Sequence, residues 1–418
     1  MGVEGILATR FRESVAKLKD YRMKSEAEFN VGYPTGFLNF DFRNGVVVHV
    51  KSEVQDFKYY SVGITDGSMV MIIGRSGSGK TTFVIQSAAN IIRKYNTSCI
   101  FHDDIEAGVT QTRIEQLTGF QGEELNKRYI RRSAGITAEN FYERIKMIHD
   151  LKMDHYDDYE YDTGYFDTSG NRIFKLEPTV YILDSLALLM PSQYTEEEEL
   201  SGQMSSTAAA KANAMIFKRI IPMLKSANII LFIINHINMK ISINPMQRTK
   251  SQVSYLKQDE SLPGGNTPIY LANLMIRVDD NSKLKSTEAF GIDGSITEIT
   301  LVKSRANKAG KSVNLVFNQS TGFDQDLSLF LMLKENNRIN GAGAYLYIDD
   351  RSDLKFAQKN FKGKLNEDME FKSIFMKAVA EVLQENIEND SAVITEAEEE
   401  KINDIADGIL SSLNAIPA

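Results

Sequence analysis

Between residues 61 and 325 the chain alternates short, unbroken apolar runs with longer stretches of helical periodicity. Met69 to Ile73, Ser98 to His102, Val180 to Leu183 and Ile229 to Asn235 read as strands with no wet face, the pattern of a sheet covered on both sides. Thr81 to Lys94, Ala138 to Leu151 and Ser205 to Ser226 read as helices between them. The alternation predicts an α/β fold, a mostly parallel sheet flanked by helices. Residues 153 to 178 interrupt it with an acidic, tyrosine-rich stretch turning at Ser169-Gly170-Asn171, expected to be an inserted hairpin.

Smaller modules are expected on either side of this 61–325 core. Residues 1–60 open with a helical pattern, Phe11 to Met23, and pass through Gly32-Tyr33-Pro34-Thr35-Gly36 to a β-rich run, Val46 to Val50. Residues 326–418 form an α+β region, with Tyr345 to Ile348 a strand, Phe371 to Gln384 an amphipathic helix and an acidic tail behind it.

Composition narrows the function classes. A 42% apolar and 25% charged chain of 418 residues has material for a large core, and its longest apolar runs, such as Ile229 to Ile234, are too short to cross a bilayer. Met1 to Phe11 lacks a signal-peptide pattern, and the single Cys99 suits a reducing compartment, so a cytoplasmic protein with no membrane partner is expected. One cysteine and five scattered histidines exclude zinc spacing. Residues 381–418 carry ten acids against Lys401, a net −9 beside −8 for the whole chain, so the first 380 residues stand near +1. The acidity therefore belongs mostly to a solvated tail and leaves the body free to meet a polyanion.

The chemistry begins at Gly74-Arg75-Ser76-Gly77-Ser78-Gly79-Lys80-Thr81, a G-x-x-x-x-G-K-T phosphate loop between an apolar strand and a helix. Its glycines let backbone N–H groups turn inward on phosphate oxygens at a helix N-terminus. These eight residues and Thr82 are the expected triphosphate-binding positions, with Lys80 on the β- and γ-phosphates and Thr81 on Mg²⁺. Val180 to Asp184 is an apolar strand ending in an acid, which assigns Asp184 to the metal shell. Cys99 to Glu106 is a second strand running into carboxylates. Glu106 is the candidate to align an attacking water, Asp104 is the alternative, and a carboxylate capping the next helix is the structural reading.

With Pro34-Thr35-Gly36-Phe37-Leu38-Asn39-Phe40-Asp41, Ile233-Ile234-Asn235-His236, Gly264-Gly265-Asn266 and Val302-Lys303-Ser304-Arg305, these motifs in this order make the chain resemble the RecA-type strand-exchange recombinases, most closely the UvsX type of large bacteriophages. The resemblance spans roughly residues 34 to 325. It implies a RecA-like ATPase core, an N-terminal module for oligomerisation, ATP and Mg²⁺ as ligands, and a homo-oligomeric helical filament on single-stranded DNA that pairs with a duplex. A single-strand-binding protein and a loading mediator are the implied partners, and the host cytoplasm the compartment if the chain is phage-encoded.

The same likeness lends roles to residues. His236 would sense the triphosphate, and the polar segment 237–263 behind it would bind DNA through Lys240, Arg248, Lys250, Lys257 and Tyr255, hinged at Gly264 and Gly265. A first DNA loop, Gln193 to Ser205, would be followed on the next helix by Lys211 and Lys218, although Glu196 to Glu199 is an odd run for such a contact. Lys303 and Arg305, alternating on a strand, would reach a neighbour's γ-phosphate. Arg113 stands where relatives place an aromatic ring against adenine, and one extra residue separates Asp103 from Glu106. The alternatives are a hexameric helicase of the same core type and a nucleotide-binding recombination accessory protein without turnover.

Overall fold

The computed structural model describes residues 31–51, 56–166, 170–195, 202–239, 256–257, 259–287, 290–342 and 345–388. Among the described residues nine strands form the central sheet: β1 (Met69–Gly74), β2 (Ile100–Asp104), β3 (Tyr129–Arg132), β4 (Thr179–Asp184), β5 (Ile229–His236), β6 (Leu274–Leu284), β7 (Gly294–Ser304), β8 (Ser312–Asn318) and β9 (Gly322–Asp324). Their order is β9-β8-β7-β6-β1-β5-β4-β2-β3. The pairs from β3 to β6 are parallel, and β7, β8 and β9 extend the sheet antiparallel. The expected α/β architecture, a large and mostly parallel sheet between helices, is therefore present.

The unbroken apolar runs have a direct cause. Val70 and Ile72 of β1 face α1 (Lys80–Ile92), whereas Met69, Met71 and Ile73 face the layer of α3 (Ala138–Asp154) and α4 (Gly202–Ser226). Each such fully buried side chain contributes on the order of 2 kcal/mol, so neither face tolerates a polar substitution. Strand β2 runs two residues beyond the sequence expectation, through Asp103 and Asp104. Burying two acids is tolerable because each is paired: Asp103 with Arg144 and Tyr181 on one face, Asp104 with Arg131 on the other.

The leading segment docks on this core. Gly32–Tyr33 pairs with Ile64–Thr65, and Phe37 and Phe40, flanking or within the helix Leu38–Arg43, pack against Phe83 at centroid distances of 5.4 Å each. Asp41 closes the turn before that helix, accepting hydrogen bonds from the Thr35 N–H (2.9 Å), the Thr35 hydroxyl (2.7 Å) and the Gly36 N–H (3.2 Å). Burial nevertheless pushes its carboxyl up to about 7, against those three donors. Folding then takes up a proton, and the resulting stability is whole below about pH 4 and lost as pH rises through 7. Chemical denaturation midpoints should fall between pH 5 and 8, and Asp41→Asn should flatten that slope; an unchanged slope would show that Asp41 stays ionised throughout.

The tyrosine-rich stretch does form a hairpin, Glu160–Phe166 against Arg172–Leu176. It packs at the amino ends of the sheet strands: the Tyr161 and Tyr33 hydroxyls lie 2.9 Å apart, Lys175 meets Asp66 at 3.1 Å, and Asn228 donates to the Leu176 carbonyl at 2.6 Å. Behind β9, α6 (Gln325–Glu335) and α7 (Met369–Glu388) enclose a third apolar cluster with Phe330, Phe361 and Phe375. Among the described residues no helix is long and apolar enough to cross a membrane. The helical pattern of 11–23 and the acidic tail from 389 lie outside the described residues.

Candidate functional site

The carboxyl ends of β1, β2, β4 and β5 lie side by side, where open α/β sheets collect their ligands. The phosphate loop leaves β1 at Gly74, where a Cβ would stand 2.4 Å from the Val278 carbonyl oxygen. Gly77 and Gly79 have φ of 75° and 92°, open to glycine without strain. The Lys80 ammonium is buried and donates to the Gly74 and Arg75 carbonyls at 3.1 and 2.7 Å. Burial holds its pKa below the usual lysine range, although Asp184 and Glu106 act the other way. Ser76 and Ser78 complete the loop, the buried Ser78 hydroxyl having no partner, and Thr82 follows in the first turn of α1.

The Thr81 hydroxyl donates to an Asp184 carboxylate oxygen at 2.7 Å, joining the first turn of α1 to the end of β4. Burial raises the Asp184 carboxyl to about 6, with Glu106 and Asp104 adding to the effect, while Thr81 and Lys80 oppose it. The Asp184–Ser185 peptide is cis. A hydroxyl and a carboxylate here are hard oxygen donors of the kind Mg²⁺ takes, and the glycine cradle with its orphan Ser78 hydroxyl suits phosphate oxygens. The residues present thus fit both groups.

Glu106, the first candidate by sequence, and Asp104, its alternative, stand in different surroundings. Asp104 is fully buried and committed: it accepts from Arg131 Nε and a second guanidinium nitrogen at 3.0 and 2.7 Å and from the N–H groups of Gly108 and Val109. Glu106 is open to solvent at the site mouth, its carboxylate 2.6 Å from His236 Nε2. Burial raises the Glu106 pKa, but the Ser185 hydroxyl, His236 and Lys80 outweigh it and hold the carboxyl below the usual range. Of the two carboxylates, Glu106 is the one that solvent reaches, whereas both Asp104 oxygens are taken up by Arg131 and backbone amides.

His236 ends β5 directly opposite Gly74. Its N–H donates to the Asn235 side-chain oxygen, and the Asn235 amide donates to the Pro263 carbonyl at 2.9 Å. A two-stranded ribbon, Asn238–Met239 with Glu260–Ser261, zips together the two ends of segment 237–263 immediately behind the histidine. Glu260, an acid within that basic segment, is buried in a bidentate pair with Arg277 of β6, at 2.6 and 3.0 Å. Lys257 shares with Arg75, Ser76, Gly77 and Ser78 the wall of a cleft of about 690 Å³.

Other expected residues are scattered. Gly264 and Gly265 are more than hinges, because Cβ atoms there would lie 2.7 Å from Leu186 and 3.2 Å from Ala210. Lys211 and Lys218, seven apart, are exposed on α4. Arg113, on α2 (Gln111–Thr118), donates to the Ser320 carbonyl at 2.6 Å. Lys240, Arg248, Lys250, Tyr255 and the acidic run Glu196 to Glu199 lie outside the described residues.

Lys303 and Arg305 do converge, but at the other end of the sheet. The Lys303 ammonium donates to the Ile269 and Tyr270 carbonyls at 2.9 and 2.8 Å, and Arg305 to Tyr270 at 3.0 Å, at the C-terminus of α5 (Asn266–Leu271). Arg305 lies one residue past the end of β7. Lys303 stands level with Met71, so Gly74 is three residues, about 10 Å, further along the sheet and two strands, about 10 Å, across it.

Sequence reasoning overlooked Arg131 and the buried His102, whose Nδ1 lies 2.7 Å from the Tyr129 hydroxyl. Burial pushes that imidazole down to about 4, so it is neutral. Donor atoms of His102, Asp104 and Asp184 fall within 4.8 Å of one another, and Arg131 already supplies the cation at Asp104. The only sequence signal was the alternation Tyr129, Arg131 on a strand. By sequence the chain matches no family profile and no curated protein.

Proposed function

We propose that this chain is a DNA-dependent ATPase with a RecA-like core, which polymerises on single-stranded DNA and exchanges strands with a homologous duplex. The observation that carries the reading is the convergence at one edge of the sheet of Lys80, the Thr81–Asp184 pair and the Glu106–His236 pair. ATP is the substrate. Lys80 binds its β- and γ-phosphate oxygens while the loop N–H groups surround them. Thr81 and Asp184 would hold Mg²⁺, which would supply charge neutralisation on the phosphates. Glu106 orients water in line with the leaving phosphate and takes its proton on the carboxylate.

His236 ties that carboxylate to the DNA-facing segment, because the ribbon at 238–239 and 260–261 begins two residues behind it. A shift of the segment on a polynucleotide would thus move the partner of the catalytic acid. Lys303 and Arg305 lie too far from their own phosphate loop to serve it, so they serve the nucleotide of an adjacent protomer, and hydrolysis depends on assembly. DNA contacts from Lys257 and the exposed Lys211 and Lys218 bind backbone, with sequence read by base pairing between strands.

Two measurements on the purified chain test this. ATP turnover should rise on adding single-stranded DNA, and electron microscopy with ATP should show continuous helical filaments. Closed rings would instead favour a hexameric helicase, and absence of turnover with DNA would leave a nucleotide-binding accessory protein.

A further inference from the structure

Resting on that reading, we infer that Arg131 is a positioning residue for the catalytic carboxylate, acting through Asp104 on the turn that carries Glu106.

Residues 105–109 form a tight turn at the end of β2, with Ala107 in the left-handed region at φ 48°. A non-glycine residue there persists only when its surroundings over-determine the backbone. They do so from two sides. The Ile105 and Glu106 N–H groups donate to the Asp184 carbonyl at 2.6 and 3.4 Å, registering the turn on the strand that carries the metal-shell acid. The Ala107 N–H donates to the Asp104 carbonyl at 3.1 Å, and the Gly108 and Val109 N–H groups to the Asp104 carboxylate at 3.2 and 3.3 Å. The turn that carries Glu106 is thus clasped between the Asp184 carbonyl and the carbonyl and carboxylate of Asp104, while the Glu106 side chain reaches out to His236.

The clasp uses both Asp104 carboxylate oxygens, Oδ1 accepting from Gly108 and Oδ2 from Val109. A fully buried carboxylate needs a compensating charge, and among the described residues Arg131 is the cation in ion-pair contact with it. Arg131 comes from β3, an edge strand whose residue pairs with His102 beside the acid. His102, neutral against the Tyr129 hydroxyl, packs below without adding charge. Removing the guanidinium would strand the acid, loosen the amides and let Glu106 drift, and a misplacement of about 1 Å near a reacting centre costs about 10²-fold in rate.

The test compares Arg131→Gln, Arg131→Lys and the double variant Asp104→Asn/Arg131→Gln with the wild-type chain. Without nucleotide, amide hydrogen exchange at 105–109 should quicken about tenfold or more in Arg131→Gln, with the α1 and β4 amides unchanged. With ATP and single-stranded DNA, kcat should fall about 10²-fold and KM stay within about threefold, and Arg131→Lys should recover part of the loss by restoring the charge. The double variant holds no unpaired buried charge, so it folds even if Arg131→Gln does not; its kcat should stay low, since one amide oxygen replaces two carboxylate oxygens. Unchanged exchange at 105–109, unchanged kcat, or a double variant with wild-type kcat would each overturn the inference. A wild-type chain without turnover would overturn the ATPase reading instead, while exchange at 105–109 would still report on the clasp.

Discussion

Replacing Lys303 and Arg305 together by alanine should lower DNA-stimulated ATP turnover by about 10³-fold or more, the effect of losing trans-acting cations on a transferring phosphoryl group. ATP binding by the isolated protomer should be unaffected, because both side chains sit at the far end of the sheet from their own phosphate loop. The sharper expectation concerns mixtures. A Lys80→Ala chain is expected to be inactive by itself, yet it carries intact cations, whereas the double-alanine chain carries an intact loop. Co-assembled in equal amounts on DNA, about a quarter of the head-to-tail junctions would pair the two intact halves, and a corresponding share of activity should return. A deficit that mixing never recovers would place the cations in their own protomer's folding or chemistry. Undiminished turnover in the double-alanine chain would remove them from the reaction altogether.

Glu106→Gln should reduce turnover by about 10² to 10⁴-fold, the range spanned by general base catalysis. Glutamine keeps the size and a hydrogen bond to His236 but cannot accept a proton from water. Nucleotide binding and DNA coating should survive, since Lys80, Thr81 and Asp184 are untouched and the turn at 105–109 is held by backbone amides. The variant should therefore trap filaments in their ATP-bound form, visible as slower disassembly from DNA. Turnover within threefold of wild type would sink the assignment. The other nearby acid could not take over, because Asp104 is buried against Arg131.

The path from sequence to site was uneven for physical reasons. The phosphate loop was legible because its eight residues act locally: the glycines, the lysine and the hydroxyl are set by chain geometry between one strand and one helix. The position of Asp184 at the carboxyl end of a buried strand was legible because an unbroken apolar run marks such a strand and the acid ends it. The different surroundings of Asp104 and Glu106 were not legible, since what sets Asp104 apart is Arg131, contributed by a strand that joins β2 only through the sheet. The burial of Glu260 was likewise out of reach, because it depends on Arg277, seventeen residues on. The tyrosine-rich hairpin showed no purpose by composition, and its contacts with Tyr33, Asp66 and Asn228 depend on elements more than forty residues away.

The amino-acid sequence alone determined the parallel, helix-covered sheet and the loop at its first strand, because hydrophobic period and glycine placement act over a few neighbouring residues. Tertiary structure alone decided which carboxylate stands open to solvent, that His236 touches it, and that Lys303 and Arg305 lie away from the phosphate loop of their own chain. Strand order and register set those distances, and neither is encoded within any single segment of the chain.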